Sequence, residues 1–364
     1  MDTTDPDITF NSEGHCNHCT EFLGSRVKHQ YQGVESDKQL DVVVAQMKKA
    51  GKGKEYDCVI GLSGGIDSCY AAYIAKQKGL RILAVHLDNG WNSEEAVQNI
   101  KNVAKKLEID YESYVLDWNE FKDLQLSFLK ASVPEAETPT DISIPAAWYH
   151  YASKYGVKYI ISGGNFATEG ILPTCWHYNA KDLKYLTHIQ KKFGTVKLKS
   201  FPTLGFRTEM YHKIFKGVTM NYLLNYVPYE KEKAMEFLKK ELDWKYYGGK
   251  HYESKYTGFI QSYYLYTKFG IDYRRATFAT QVCNGEVSRE NALRELEEKP
   301  YNDEVVAKEK QYIAKKLGVT LEEFEEILNK PPKWYRDYPN DEKKLGFIYD
   351  TYRKLFKKEK LANF

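Results

Sequence analysis

The run Tyr56-Asp57-Cys58-Val59-Ile60-Gly61-Leu62-Ser63-Gly64-Gly65-Ile66-Asp67-Ser68 constrains this chain more than any other stretch. Cys58-Val59-Ile60 is a short apolar run that reads as a buried strand. Ser68 to Ala75 then carries apolar residues at helical spacing. Between the two, Gly64 and Gly65 permit a sharp turn and a close approach of backbone to ligand. Amides at the start of the following helix point outward and suit phosphate oxygens. Ser63 and Ser68 add hydroxyl donors, and Asp67 can hold a cation that bridges phosphates. The pattern is not a Walker A loop, since no Gly-Lys-Ser/Thr follows, and Gly-x-Gly-x-x-Gly is absent.

Around this loop, strands alternate with helices. Arg81 to Gly90 reads as a second strand with its turn, Tyr111 to Leu116 as a third, and Lys158 to Ile161 as a fourth. Helices are expected over 39–50, with Leu40, Val43, Val44 and Met47 on one face, and from Ser93 as cap through Leu107. Phe121 to Leu129 and Ile144 to Tyr155 complete the set. Such alternation implies a parallel sheet with right-handed crossovers. Ligands then sit at the carboxyl ends of the strands, which gathers Asp67, Asp88 and the loop from Gly163 to Glu169. Past residue 200 strands become hard to find. Tyr229–Glu241, Val305–Leu317, Leu321–Asn329 and Lys343–Lys357 read as helices. The expected organisation is a segment 1–35 with Cys16-Asn17-His18-Cys19, an α/β domain 36–200 and a helical region 201–364.

Charge bounds the partners. Fifty-three basic and fifty acidic residues leave a net charge of +3. That is no footprint for nucleic acid, and the basic end Arg353 to Lys358 reads as a solvated helix terminus. With no apolar run of about eighteen residues and an acidic start, the expectation is a cytoplasmic protein without a membrane partner. Six scattered cysteines then read as free thiols or metal ligands. Cys16 and Cys19 form half of a zinc knuckle, with Cys175 and Cys283 as remote candidates.

The Ser-Gly-Gly-Ile-Asp-Ser loop at 63–68 resembles the pyrophosphate-binding loop of the ATP pyrophosphatases, the adenine-nucleotide alpha-hydrolase-like (PP-loop, HUP) fold. The resemblance implies ATP cleaved between its alpha and beta phosphates. It also implies ATP contacts from Gly61, Leu62, Ser63, Gly64, Gly65, Asp67 and Ser68. Backbone groups of Val85, His86 and Leu87 would read adenine, and Asp88 would face ribose or phosphates or be structural. The loop Gly163, Gly164, Asn165 to Glu169 resembles that of NAD synthetase-like enzymes, which implies Asp67 and Glu169 as the Mg²⁺ pair. A third cluster, Gly248-Gly249-Lys250-His251 onward and Lys268 to Arg275, offers Lys255, Lys268, Arg274 and Arg275. These could stabilise charge on pyrophosphate or grip an anionic substrate.

Read in order, Asp5-Pro6-Asp7-Ile8-Thr9-Phe10 with Cys16 and Cys19, the 63–68 loop, Gly163 to Gly170 and Lys268 to Arg275 resemble the N-acetyl sugar amidotransferase family. Its members act in pseudaminic acid, legionaminic acid and lipopolysaccharide O-antigen synthesis. The resemblance implies adenylation of an N-acetyl amide oxygen on a sugar, often nucleotide-linked, and its replacement by ammonia. It also implies a second Cys-x-x-Cys upstream of Met1 in a longer natural chain. Cys58 lies on a strand and Cys69 in a helix, and neither sits in a Gly-x-Cys-x-Gly elbow. Ammonia is therefore expected from a separate subunit, and the resemblance implies glutaminase and synthase partners like those of imidazole glycerol phosphate synthase. The rival reading is a tRNA-modifying enzyme of the same fold, a thiolase or lysidine synthetase, using Cys175 and the basic stretch Lys181 to Lys199.

Overall fold

The computed structural model describes residues 1–29, 33–176, 178–248 and 252–356. Five strands form one parallel sheet in the order β3-β2-β1-β4-β5. They are β1 (Cys58–Gly61), β2 (Ile82–Asp88), β3 (Asp110–Val115), β4 (Tyr159–Ser162) and β5 (Thr219–Tyr222). β1 is buried along its whole length, as expected for a central parallel strand covered on both faces. Helices α1 (Asn17–His29), α2 (Gly33–Ala50), α3 (Ile66–Gln77), α4 (Glu94–Lys106), α5 (Trp118–Ala131) and α6 (Thr138–Lys154) belong to the first half of the chain.

Side chains alternate along the strands and so divide the core. Cys58, Ile60, Ile82, Ala84 and Ile161 face α2 and α3, against Leu40, Val44, Met47, Ala71, Ala72 and Ala75. Val59, Leu83, Val85 and Ile160 face the other way, onto Ala147 and Ala152 of α6. Ser93 caps α4 as expected, its side chain accepting from the Ala96 amide.

Two expectations differ from the structure. The helix placed at Ile144–Tyr155 begins at Thr138 and runs through Pro145. Pro139 sits in its first turn, where a missing amide costs nothing. The sheet also reaches beyond residue 200. β5 pairs with β4 from Tyr159↔Thr219 to Ser162↔Tyr222, and its four residues of mixed polarity at the sheet edge carry too little pattern to be read as a strand. The helical region is not isolated from the sheet either. Tyr256, Phe259, Ile260, Ile313 and Phe324 share one apolar cluster with Val59 and Val85.

Strand order reverses between β1 and β4, so the crevice at their carboxyl ends is the switch point of the sheet. The 63–68 loop leaves β1 and the 163–169 loop leaves β4 at that place.

Candidate functional site

Gly64 has φ of +83°, and a Cβ there would lie 2.4 Å from the Ala96 carbonyl oxygen. The turn therefore needs glycine twice over, for conformation and for space. The Ser68 hydroxyl accepts from the Ser63 amide at 3.2 Å and donates to the Gly65 carbonyl at 3.1 Å. These bonds fix the loop against the start of α3, whose N-cap, Gly65, offers no side-chain bond of its own. Helix-terminal amides beside a rigid glycine turn can hold phosphate oxygens.

Later segments clamp this loop. The Trp244 indole donates to the Gly64 carbonyl at 2.9 Å. Asn99 bonds the Lys245 amide at 2.7 Å and its carbonyl at 2.8 Å. The Ser93 amide donates to the Glu253 carbonyl at 2.8 Å, and the Lys255 amide to the Trp91 carbonyl at 3.0 Å. Glu253 is thereby carried to the rim of the loop, where it lines both adjoining cavities.

Asp67 is held from two sides. Tyr229 donates its hydroxyl to Oδ1, and the Asn165 amide nitrogen reaches the same oxygen at 3.3 Å. Burial first, and the Asp67 charge beside it, push the Tyr229 hydroxyl far above the usual phenol range, so it stays a donor. Asn165 is fully buried and caps the short turn α7 (Phe166–Glu169), accepting from Thr168 at 2.9 Å. It positions Asp67 and does not face the cavity. Asp67 and Glu169 both line the larger cavity. Two hard carboxylates at the phosphate loop fit Mg²⁺, which would bridge phosphate oxygens and offset their charge.

That cavity, about 520 Å³, extends from Gly61, Leu62 and Val85–Leu87 past Trp148 to Glu135, Glu137, Asp141, Trp176 and Tyr178. His86 is buried between the Leu62 carbonyl, 3.2 Å from Nδ1, and Asn92, 3.1 Å from Nε2. Burial holds its pKa below the ordinary value, so it is a neutral hydrogen-bonding group. Among the described residues the larger cavity is lined by six carboxylates and by no lysine or arginine. Lys231 lines the smaller one, about 320 Å³, on the other side of the loop.

The expected cations lie elsewhere. Lys255 is exposed, with its ammonium 5.1 Å from the centre of the Tyr312 ring. Lys268 donates to the Leu328 carbonyl at 2.9 Å, at the end of helix Leu321–Asn329; burial and then Lys330 lower its pKa to about 8. Arg274 is spent on Asp272 at 2.7 Å and the Glu298 carbonyl at 2.8 Å. Arg275 pairs with Asp2. None of the four lines either cavity beside the loop, because each is already matched to a structural partner. For Asp88 the geometry matches the structural alternative. Its Oδ1 accepts from the Gly90 amide at 3.0 Å to close the turn after β2, and the buried Asn89 lines the cavity instead. Gly249, Lys250 and His251 lie outside the described residues, as do Lys357 and Lys358.

At the N-terminal segment Cys16 and Cys19 bring their sulfurs to 3.3 Å. A hydrogen bond with Cys283, from helix Tyr273–Asn284, is the main cause of the raised Cys19 pKa, which puts that thiol beside Cys19. Among the described residues these three sulfurs are not gathered closely enough to share one ion, whereas ligand atoms of Asp5, Asp7 and Cys175 are. Cys175 does not join them. It bonds Asp5 at 3.3 Å, and burial with that bond pushes its thiol up to about 12. Trp244, Tyr229 and Glu137 are the site residues that sequence reasoning missed.

Two family models match the chain. Residues 53–168 match "Thiamine biosynthesis protein (ThiI)", and residues 253–355 match "LPS biosynthesis protein WbpG-like, C-terminal domain". The uncharacterized protein MJ1599 of Methanocaldococcus jannaschii is 29% identical over 127 residues, 35% of this chain and 44% of that protein. The tRNA(Ile)-lysidine synthase of Chlamydia pneumoniae is 39% identical over 75 residues, 21% of this chain and 20% of that enzyme. The chain thus spans less than half the length of these curated relatives. Among solved structures, NMN synthetase from Francisella tularensis aligns with a TM-score of 0.33 at 16% identity, covering 64% of this chain and 93% of that one. The two family matches support the PP-loop ATP pyrophosphatase superfamily, an ATP-using, ligase-type enzyme class that usually works with Mg²⁺. Among the described residues no helix is long and apolar enough to cross a membrane.

Proposed function

We propose that the protein is an ATP-dependent amidotransferase. It adenylates the amide oxygen of an N-acetyl group on a sugar, often nucleotide-linked, and replaces that oxygen by ammonia to give an acetamidino sugar, AMP and pyrophosphate. One observation carries this reading. The segment matching the WbpG-like domain supplies Glu253, Ser254, Thr257, Gln261 and Tyr273 to the wall of the same cavity that the 63–68 loop opens into. A domain known from lipopolysaccharide biosynthesis proteins thereby faces the ATP loop across one cleft, which is where an acceptor must lie to meet the alpha phosphate.

The chain's own groups support the chemistry. The loop amides and Ser63 would hold phosphates, with Asp67 and Glu169 on Mg²⁺. Gly61, Leu62 and the Val85–Leu87 edge would hold the adenosine. The neighbouring aromatic wall of Trp148, Trp176 and Tyr178 would shelter an adenylated amide from water. Cys58 and Cys69 are fully buried with thiols pushed far up by burial, which fits neither as a glutaminase nucleophile. Ammonia would then come from a separate glutaminase with its synthase subunit.

The test is incubation with ATP, Mg²⁺, ammonium and a panel of N-acetylated nucleotide-sugars. Substitution of NH for oxygen lowers acceptor mass by about one unit. AMP release should appear with an N-acetyl acceptor and be absent with its deacetylated counterpart. Release of ADP, or AMP release that needs tRNA, would overturn the reading. The tRNA alternative draws on the lysidine synthase relative; a thiol at about 12 makes Cys175 a poor sulfur carrier for its thiolase form.

A further inference from the structure

One part of the cleft is used by nothing assigned so far. Glu135, Glu137 and Asp141 line the cavity beyond the nucleotide loop, where the chain enters α6. Two of them have hydrogen-bond partners of their own. Glu135 accepts from the Tyr185 hydroxyl at 3.1 Å, and Asp141 from the Tyr178 hydroxyl at 2.7 Å. Glu137 differs. Thr257 donates to its Oε2 at 2.8 Å, but Oε1 is shut off from solvent and has no hydrogen-bond partner. Beside it the Tyr256 hydroxyl is also buried and unpartnered. A buried carboxyl oxygen left without a donor is costly, and in a native structure it points to strain, a catalytic role, or a bound water or ion. No lysine or arginine lines this cavity among the described residues, so a cation with N–H groups would complement its carboxylates.

We propose that Glu137, flanked by Glu135 and Asp141, forms a subsite for a small nitrogen cation, receiving ammonium as the nitrogen donor and facing the amidinium of the product. The proposal rests on the amidotransferase reading for its place in the reaction. A neutral amide enters this chemistry and a cation leaves it, so a carboxylate at the reacting carbon favours the forward direction. Ammonium gives one proton to Glu137 and, as ammonia, adds to the neutral imidate carbon. The C–N bond forms, and the C–O bond to AMP breaks with its electron pair on the AMP oxygen. The product keeps the remaining three hydrogens across its two nitrogens as an amidinium. The proton stays on Glu137 through the step and is lost to water once the product has left the cleft. Burial, and then Asp141, raise the Glu137 pKa to about 8, near enough to that of ammonium for the proton to move with little penalty.

Binding of acetamidinium chloride to the full chain, titrated against sodium chloride at equal ionic strength, tests the subsite without any acceptor sugar. Saturable acetamidinium binding at pH 8.5 is expected, displaced by ammonium and not by tetramethylammonium, which has no N–H. Glu137→Gln should weaken it at least tenfold while retaining a cooperative thermal melt. Asp141→Asn, a second variant, should weaken it less. Equal binding of sodium, or binding untouched by Glu137→Gln, would overturn the subsite. With an acceptor that supports AMP release, Glu137→Gln should raise the KM for ammonium tenfold or more and make the rate follow free ammonia as pH rises. If no N-acetyl acceptor reacts, the amidotransferase reading falls while the acetamidinium titration still decides the subsite.

Discussion

Glu137→Gln should make the protein more stable, and by an amount that depends on pH. Burial, with Asp141 adding to it, lifts the carboxyl from an ordinary 4.5 to about 8. Asp141 and Glu135 sit near it, and Tyr273 lines the same cavity. A carboxyl raised in the folded state binds its proton more tightly there than in the unfolded chain. Stability is therefore lost as pH climbs from about 4.5 to about 8. At about 1.4 kcal/mol for each pH unit, the ceiling is about 5 kcal/mol. Part of the side chain lines the open cleft, so water relieves some of that cost, and about 2–3 kcal/mol is the expected gain at pH 8.5. At pH 5 the gain should shrink below about 0.5 kcal/mol, since folded Glu137 is then protonated and this pH lies only about half a unit above the unfolded carboxyl's 4.5. Glutamine keeps the shape and can still accept from Thr257. Urea unfolding of both proteins at the two pH values measures the difference, and groups common to both cancel. A variant equally or less stable at pH 8.5, or a gain of the same size at pH 5, would refute the placement of a buried, unpaired carboxyl here.

Asp67→Ala should cut acceptor-dependent AMP release by at least about 100-fold with its circular dichroism unchanged; residual activity near wild type would remove Asp67 from the phosphate site. Gly163→Ala should destabilise by about 1–3 kcal/mol, because its Cβ would meet the Ser68 backbone nitrogen at 2.7 Å; an unshifted melting temperature would contradict that close approach. Lys268→Met should leave AMP release within about twofold, since its partner is a helix-end carbonyl. Wild type, unlike this variant, should gain stability as pH rises from about 8 toward 10.5, because a base lowered by burial favours folding once neutral.

What could be read in the sequence was local. The loop at 63–68 is continuous, and its strand and helix carry their own periodicities, so its position at a strand end was legible. The α2 face of Leu40, Val44 and Met47 was legible for the same reason. What failed depends on partners far along the chain. Arginines 274 and 275 stand in a motif rich in charge, yet which carboxylate or carbonyl each meets is set by folding, and both meet structural ones. Tyr229 reaches Asp67 across 162 positions, and Trp244 reaches Gly64 across 180. No period in the sequence signals such pairs. Glu137 lay in Pro134-Glu135-Ala136-Glu137-Thr138-Pro139, where two acids precede a proline-started helix among buried neighbours. That unusual density of acid in a buried stretch was the available signal.

The bond from Trp244 to the Gly64 carbonyl has an optical consequence. The indole is almost wholly buried, and its ring lies 5.4 Å from that of Tyr247, itself on the rim of the smaller cavity. Any molecule that shifts the Gly64 peptide changes the hydrogen bond to the chromophore and thus its emission. The 63–68 loop therefore carries a built-in fluorophore. Trp244→Phe would isolate its share of the signal from that of Trp148 and Trp176 on the opposite wall, letting occupancy of the loop be followed in real time without a label.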